Sequence, residues 1–132
     1  MEKVVLDAFA ILSLLEKEKG HEIVEDFLER SAKRKIEAYM NLLNWGEVYY
    51  TLMKRGQTPE AEEFWEGRKY YPIVFAEPTT KRIKEACRIK GRHSVSYADA
   101  FCIALATELN ARVLTGDEEF KTIDGLKLIW IK

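Results

Sequence analysis

Cysteine is scarce in this chain, and that scarcity excludes two kinds of protein. Cys87 and Cys102 are the only two in 132 residues. They form no CxxC and no spacing with histidine that would build a zinc site, and two thiols make no disulfide scaffold. Histidine is equally thin: His21 and His93 stand apart, His21 near a helix start and His93 in a basic segment. No apolar run approaches the ~18–20 residues that a membrane helix needs, so no membrane partner is expected. The opening residues MEKVVLDAFA are too acidic, and their apolar run too short, for a secretory signal. The expected compartment is therefore the reducing cytoplasm. An excess of one charge is also missing. Twenty-one Lys and Arg against 22 Asp and Glu leave a net charge of -1, which excludes a uniformly basic nucleic-acid binder and leaves room for local basic patches. Linkers, repeats and low-complexity tracts are absent.

What is present is an ordinary globular composition, 47% hydrophobic and 33% charged, in a length suited to one core. Residues 1–132 are expected to form a single domain. Val4 to Leu6 is a short continuous apolar run ending at Asp7, the mark of a buried parallel strand. Helical spacing follows from Ala8 to Lys17, broken by Gly20, and again from His21 to Lys33. Ile36 to Tyr39 fits a second strand. Asn41 can cap a helix reaching Arg55, stopped at Gly56. Thr58-Pro59-Glu60 starts another, with Thr58 as the cap and Pro59 in the first turn, running to Tyr70. Ile73 to Ala76 reads as a strand. Pro78-Thr79 opens a helix closed by Gly91, and Ser96 caps the next, which ends near Asn110. Arg112 to Leu114, a turn from Asp117 to Phe120, and a strand from Leu126 to Ile131 complete the chain. This alternation predicts an α/β domain with a parallel sheet covered on both faces.

Three acids occupy comparable places. Asp7 follows the first strand, Asp117 follows the fourth, and Asp99 lies in the first turn of a helix. Ligand sites in open α/β sheets form beyond the carboxyl ends of the strands, so Asp7 and Asp117 are expected in one crevice. Glu47 sits within the Asn41–Arg55 helix, in a polar stripe with Asn44 and Thr51. Singly, each has a plain structural explanation. Asp7 reads equally well as a helix cap, Ser96-x-x-Asp99 as a capping box, Thr115-Gly116-Asp117 as a turn, and Glu47 as a solvated helix acid. Together they would repel one another, and no lysine or arginine adjoins any of the four in sequence. A bound cation is the natural counter-charge. An all-oxygen set selects Mg²⁺ or Mn²⁺ over zinc.

Three segments resemble the PIN domain family, particularly the short VapC-type toxin nucleases: VVLDAFAILSLL; NLLNWGEVYYTLMKRG, with Asn44, Gly46 and Glu47; and SVSYADAFCIALATELNARVLTGDEEF, with Asp99, Asp117 and Phe120. They cover the start, middle and end of the chain in matching order. The resemblance implies a three-layer α/β/α fold whose sheet has strand order 3-2-1-4-5. It also implies a catalytic metal site made by Asp7, Glu47, Asp99 and Asp117. By the same analogy Ser96 and Thr115 support the carboxylates by hydrogen bonds, as Asn44 would. Glu118 and Glu119 stand ready to supplement or replace Asp117. The implied activity is metal-dependent hydrolysis of phosphodiester bonds in single-stranded RNA, as the toxin of a toxin–antitoxin pair. An antitoxin protein and a second copy of the chain are the implied partners.

Arg88, Lys90, Arg92 and His93, just ahead of the Asp99 helix, are the candidates for holding an RNA backbone; a solvated helix end explains them equally well. Tyr49, Tyr50 and Trp45 could stack on bases, but their helical spacing favours packing. Trp65, Tyr70 and Tyr71 suit a partner helix. The alternatives are an RNA-processing nuclease outside a toxin pair and a PIN-like module that binds RNA or protein without cutting. A phosphoacceptor receiver domain fits poorly, because the strand PIVFAEP ends in Glu77 rather than Asp and the terminal strand leaves only Lys132. A DxD phosphatase fails because Asp7-Ala8-Phe9 lacks the second acid.

Overall fold

The computed structural model describes all residues from Met1 to Lys132. Five strands, β1 (Lys3–Leu6), β2 (Glu37–Asn41), β3 (Ile73–Ala76), β4 (Arg112–Thr115) and β5 (Leu128–Trp130), form one sheet in the order β3-β2-β1-β4-β5. Every pairing is parallel. The expected class and strand order are therefore both observed. Val4, Val5 and Leu6 of the central β1 have no exposed surface, which explains why this strand reads as an unbroken apolar run instead of alternating.

Six helices cover the sheet: α1 (Ala8–Glu16), α2 (His21–Ala32), α3 (Leu42–Lys54), α4 (Thr58–Glu66), α5 (Thr80–Arg92) and α6 (Tyr97–Leu109). The pleat sends neighbouring side chains of β1 to opposite faces. Val4 and Leu6 join a core with Ile11, Val24, Trp45 and Phe64 from α1 to α4. Val5 joins a second core with Ala86 of α5, Phe101, Cys102 and Leu105 of α6, and Val113 and Phe120. In the first core Trp45 stacks on Phe64 with ring centroids 3.9 Å apart. Helix α6 is apolar nearly all round because it is wedged among β1, β2, β4, α3 and α5.

Several boundaries differ from the sequence reading for local reasons. Strand β2 runs on to Asn41, which then caps α3 by accepting the Leu43 N–H at 2.9 Å. Gln57, not Thr58, is the cap residue of α4, so Thr58 is already helical. The last part of the expected fourth helix is a separate 3₁₀ turn, Gly67–Tyr70. Gly91 lies inside α5, which continues to Arg92 and ends at His93. Helix α1 ends at Lys17 in a left-handed conformation, and Gly20 begins α2 instead of ending α1. Gly20 is obligatory there: its φ is +94°, and a Cβ would lie 1.9 Å from the Ile131 carbonyl oxygen.

Candidate metal centre

The site begins where β1 ends. Asp7 is 1% exposed and caps α1, accepting the Ala10 N–H on Oδ1 at 2.9 Å. Its Oδ2 accepts the hydroxyl of Thr115, at the end of the adjacent β4. The same Thr115 oxygen accepts the Asp117 N–H at 3.0 Å. One fully buried hydroxyl thus ties the first acid to the backbone of the fourth. Asp117 in turn caps a 3₁₀ turn, Glu118–Thr122, by accepting the Glu119 N–H at 2.9 Å. Between them, Gly116 leaves room for Phe9, since a Cβ at this position would meet the ring at 2.4 Å.

Asp99 arrives from the start of α6. Ser96 caps that helix by accepting the Asp99 N–H at 3.1 Å, so its hydroxyl fixes the Asp99 backbone and not, as the resemblance implies, the carboxylate. Asn44 is wholly buried, and its Nδ2 donates to the Ala98 carbonyl at 2.9 Å. It joins α3 to α6 through the main chain beside Asp99 and makes no carboxylate bond. One turn along α3, Glu47 presents its carboxylate with Oε1 buried and without a hydrogen-bond partner. Oxygens of Asp99, Asp117 and Glu119 lie within 4.8 Å of one another.

Electrostatics shows that these groups converge. Burial lifts the Asp7 carboxyl to about 7, overriding the Thr115 and Ala10 hydrogen bonds that pull it down; Asp117 and Glu47 add repulsion. Asp99 is raised to about 8, first by burial, then by a hydrogen bond shared with the Glu119 carboxyl, then by Asp117, Asp7 and Glu47. Glu47 is raised by burial and by Asp117. No lysine or arginine takes part in any of these shifts. Cys102 lies fully buried within range of the same field, its thiol pushed well up by burial and by Asp7, Asp99 and Glu47.

The four acids of the sequence reading, from the end of β1, α3, α6 and the turn after β4, therefore influence one another, and a fifth, Glu119, joins Asp99 and Asp117. Its signal in the sequence is the acid pair after Asp117, which does not show that Glu119, itself exposed, is the member that lies near Asp99. The aromatic candidates separate. Trp45 is buried in the core, and Tyr49 packs edge-on against Trp65 with its hydroxyl on Glu62. Tyr50 is 49% exposed and feels the charges of Glu47 and Asp99, which puts it at the rim of the acid cluster.

The basic candidates lie beside the acids without sharing their pocket. Arg88, Arg92 and His93 line a groove between α5 and α6, together with Lys81, Arg82 and Thr107, and none of the clustered acids lines it. Arg88 pairs with Glu85 at 3.1 Å, and Lys90 lies outside the groove. The two helices form an antiparallel pair, with Arg82 at the start of α5 holding Glu108 at the end of α6. The C-terminal end of α5 consequently lies near the start of α6, where Asp99 is found.

This arrangement suits a hard divalent cation. The available donors are all carboxylate oxygens, one of them buried without a partner, and no side-chain cation neutralises them.

Solved structures share the architecture. The VapBC2 complex of Rickettsia felis bound to a promoter DNA fragment matches with a TM-score of 0.75 at 14% identity, covering 98% of this chain and 99% of that one. DNA-bound VapBC of Salmonella typhimurium matches at 0.74 and 19% identity over 100% of both chains. VapC20 of Mycobacterium tuberculosis, described as a toxin cleaving the sarcin–ricin loop, matches at 0.72 and 16% identity, over 90% of this chain and 93% of that one. At these identities the likeness is one of fold. No curated protein matches the chain. The family model of the PIN domain matches residues 4–126, from the first strand through the acidic turn and beyond. The chain belongs to the PIN domain family.

Proposed function

We propose that residues 1–132 act as a single divalent-metal-dependent endoribonuclease, hydrolysing phosphodiester bonds in single-stranded RNA as a VapC-type toxin. The observation that carries this reading is a carboxylate cluster with no counter-charge, in which Glu47 Oε1 is buried without a partner. A purely structural role would pair such groups with cations or donors.

In this reading Asp7, Glu47, Asp99 and Asp117 would hold Mg²⁺ or Mn²⁺, which would supply positive charge for phosphodiester hydrolysis when bound. The chain's own residues do the positioning. Thr115 keeps Asp7 and the Asp117 backbone in fixed relation. Ser96 and Asn44 hold the main chain that carries Asp99. Tyr50, at the rim, offers a ring face on which a base can stack. Arg88, Lys90, Arg92 and His93, at the end of α5, grip phosphates flanking the cut.

An antitoxin and a second copy of the chain are the proposed protein partners, and the VapBC complexes among the structural relatives support the first. A groove in which Leu15, Leu52, Phe64, Tyr70 and Tyr71 alternate with Glu16, Glu60 and Glu63 is the surface proposed for the antitoxin. The cytoplasm is the proposed compartment; no helix is long and apolar enough to cross a membrane.

The test is cleavage of a labelled single-stranded RNA by purified protein. Activity should require Mg²⁺ or Mn²⁺, disappear in excess chelator, and be lost in Asp7→Asn and Asp99→Asn with folding retained. Equal cutting in chelator would overturn the metal reading. Tight RNA binding with no cleavage under any metal would favour the non-cutting alternative.

A further inference from the structure

The groove between α5 and α6 has a charge pattern that the acid cluster does not explain. It encloses about 580 Å³, and its apolar lining is Ile89, Ile103, Ala104 and Ile123. Both of its acids are paired, Glu85 with Arg88 at 3.1 Å and Glu108 with Arg82 at 3.0 Å. Lys81, at the start of α5, and Arg92, at its end, line the same groove without an ion pair. At 1.5 Å per residue these two cations stand roughly 16 Å apart along the helix axis. Arg92 lies at the end beside the acid cluster, Lys81 at the far end.

Arg82 is the fixed point of that far end. Its Nε and Nη2 donate to the two Glu108 oxygens at 3.1 and 3.0 Å, and Nη1 donates to the Glu77 carbonyl at 3.0 Å. With all three nitrogens engaged, little of its edge is left to grip a phosphate. A guanidinium held by its edge still has flat faces, and unpaired bases stack on such planes. Unpaired cations at both ends, a clamped plane beside one of them and aliphatic side chains between suit a single strand of nucleic acid. An acidic peptide could meet the same cations. The Arg92 end, however, adjoins the acid cluster, so a strand leaving the cut runs directly into this groove.

We infer that the α5–α6 groove is a second subsite for the RNA strand, in which a nucleotide away from the scissile bond lays its base on the Arg82 guanidinium and a neighbouring phosphate on Lys81. This rests on the ribonuclease reading above and extends it to a surface roughly 14 Å from Asp99 along α6.

Fluorescence anisotropy of labelled oligoadenylate with the purified full chain, in chelator so that nothing is cut, tests it. Arg82→Lys keeps the charge and loses the plane, and should weaken binding of a strand of about ten nucleotides by at least about fivefold. Glu108→Gln also loosens the α5–α6 clamp but keeps the plane, and should not weaken binding. Lys81→Ala should lower the slope of log affinity against log salt by about 0.7. Lys84→Ala, the same charge change on α5 outside the groove, should leave that slope unchanged. A 2-aminopurine base in the strand should be quenched more by wild type than by Arg82→Lys. Circular dichroism verifies that each variant is folded. Equal losses in Arg82→Lys and Glu108→Gln, or in Lys81→Ala and Lys84→Ala, overturn the subsite and leave the nuclease reading standing. So does an Arg82→Lys protein that binds RNA as wild type does but loses affinity for a peptide of aspartate and leucine. A wild-type protein that binds no single-stranded RNA overturns both readings.

Discussion

Asp7 and Asp99 illustrate how one residue can satisfy a structural and a chemical reading together. Asp7 does cap α1, and Ser96 does cap the helix that carries Asp99. Capping explains the position of these carboxylates but not their burial or their mutual repulsion, which raise them to about 7 and about 8. An acid whose folded value exceeds its unfolded value binds more protons when folded, so stability falls as pH rises through the interval between the two. Below about pH 3 both acids are protonated whether the chain is folded or not; above about pH 9 the full penalty applies. Metal-free protein should therefore lose stability steadily between pH 5 and pH 8, measured by urea unfolding in chelator. Asp99→Asn, which has no charge to bury, should flatten that slope. A wild-type slope that is already flat, or one that Asp99→Asn leaves unchanged, would contradict the burial account.

At the scale of elements, the distribution of charge carries more than the net charge of the chain. Helix α5 holds Lys81, Arg82, Lys84, Arg88, Lys90 and Arg92 against the single acid Glu85, within a chain whose net charge is -1. It buries only Ala86, so nearly all of this charge faces outward. Arg82 and Arg88 are committed to Glu108 and Glu85, whereas Lys90 and Arg92 form no ion pair. These two are expected to meet RNA. In chelator, where nothing is cut, replacing both Lys90 and Arg92 by alanine should weaken binding of single-stranded RNA. The slope of log affinity against log salt should fall by about 0.7 for each phosphate that is no longer neutralised, read by fluorescence anisotropy. An unchanged slope would move the RNA path away from α5. Which residues would be ion-paired was not legible in the chain: Arg82 meets Glu108 only because α5 and α6 pack antiparallel, 26 residues apart in sequence.

At the scale of the molecule, the acid cluster joins β1, α3, α6 and the turn after β4, so whatever neutralises it clamps both halves of the sheet. Filling the site at 100 times the Mn²⁺ dissociation constant should stabilise the fold by about 2.7 kcal/mol, a rise in Tm of roughly 10 °C for a protein of this size. The gain should be larger at pH 8 than at pH 5, because the carboxylates must be ionised to bind. Differential scanning fluorimetry with Asp99→Asn as control would measure it. A rise in Tm that Asp99→Asn shows equally would place the ion elsewhere.

The amino-acid sequence by itself determined the class, the order of elements and the identity of four acids, because these are local properties. A continuous apolar run marks a buried parallel strand, a 3.6-residue spacing marks a helix, and the PIN-like segments place each acid on its element. Tertiary structure decided what those acids face. It showed that Ser96 and Asn44 act on the main chain instead of on carboxylates, that Thr115 reaches Asp7, 108 residues away, while holding the Asp117 N–H, and that Glu119 lies near Asp99 while Glu118 turns to Lys121. The last distinction lies beyond any sequence pattern. The direction of each side chain follows from a 3₁₀ turn pinned by Asp117 and Phe120, and that turn exists only once β4 has paired with β1 and the second core has closed.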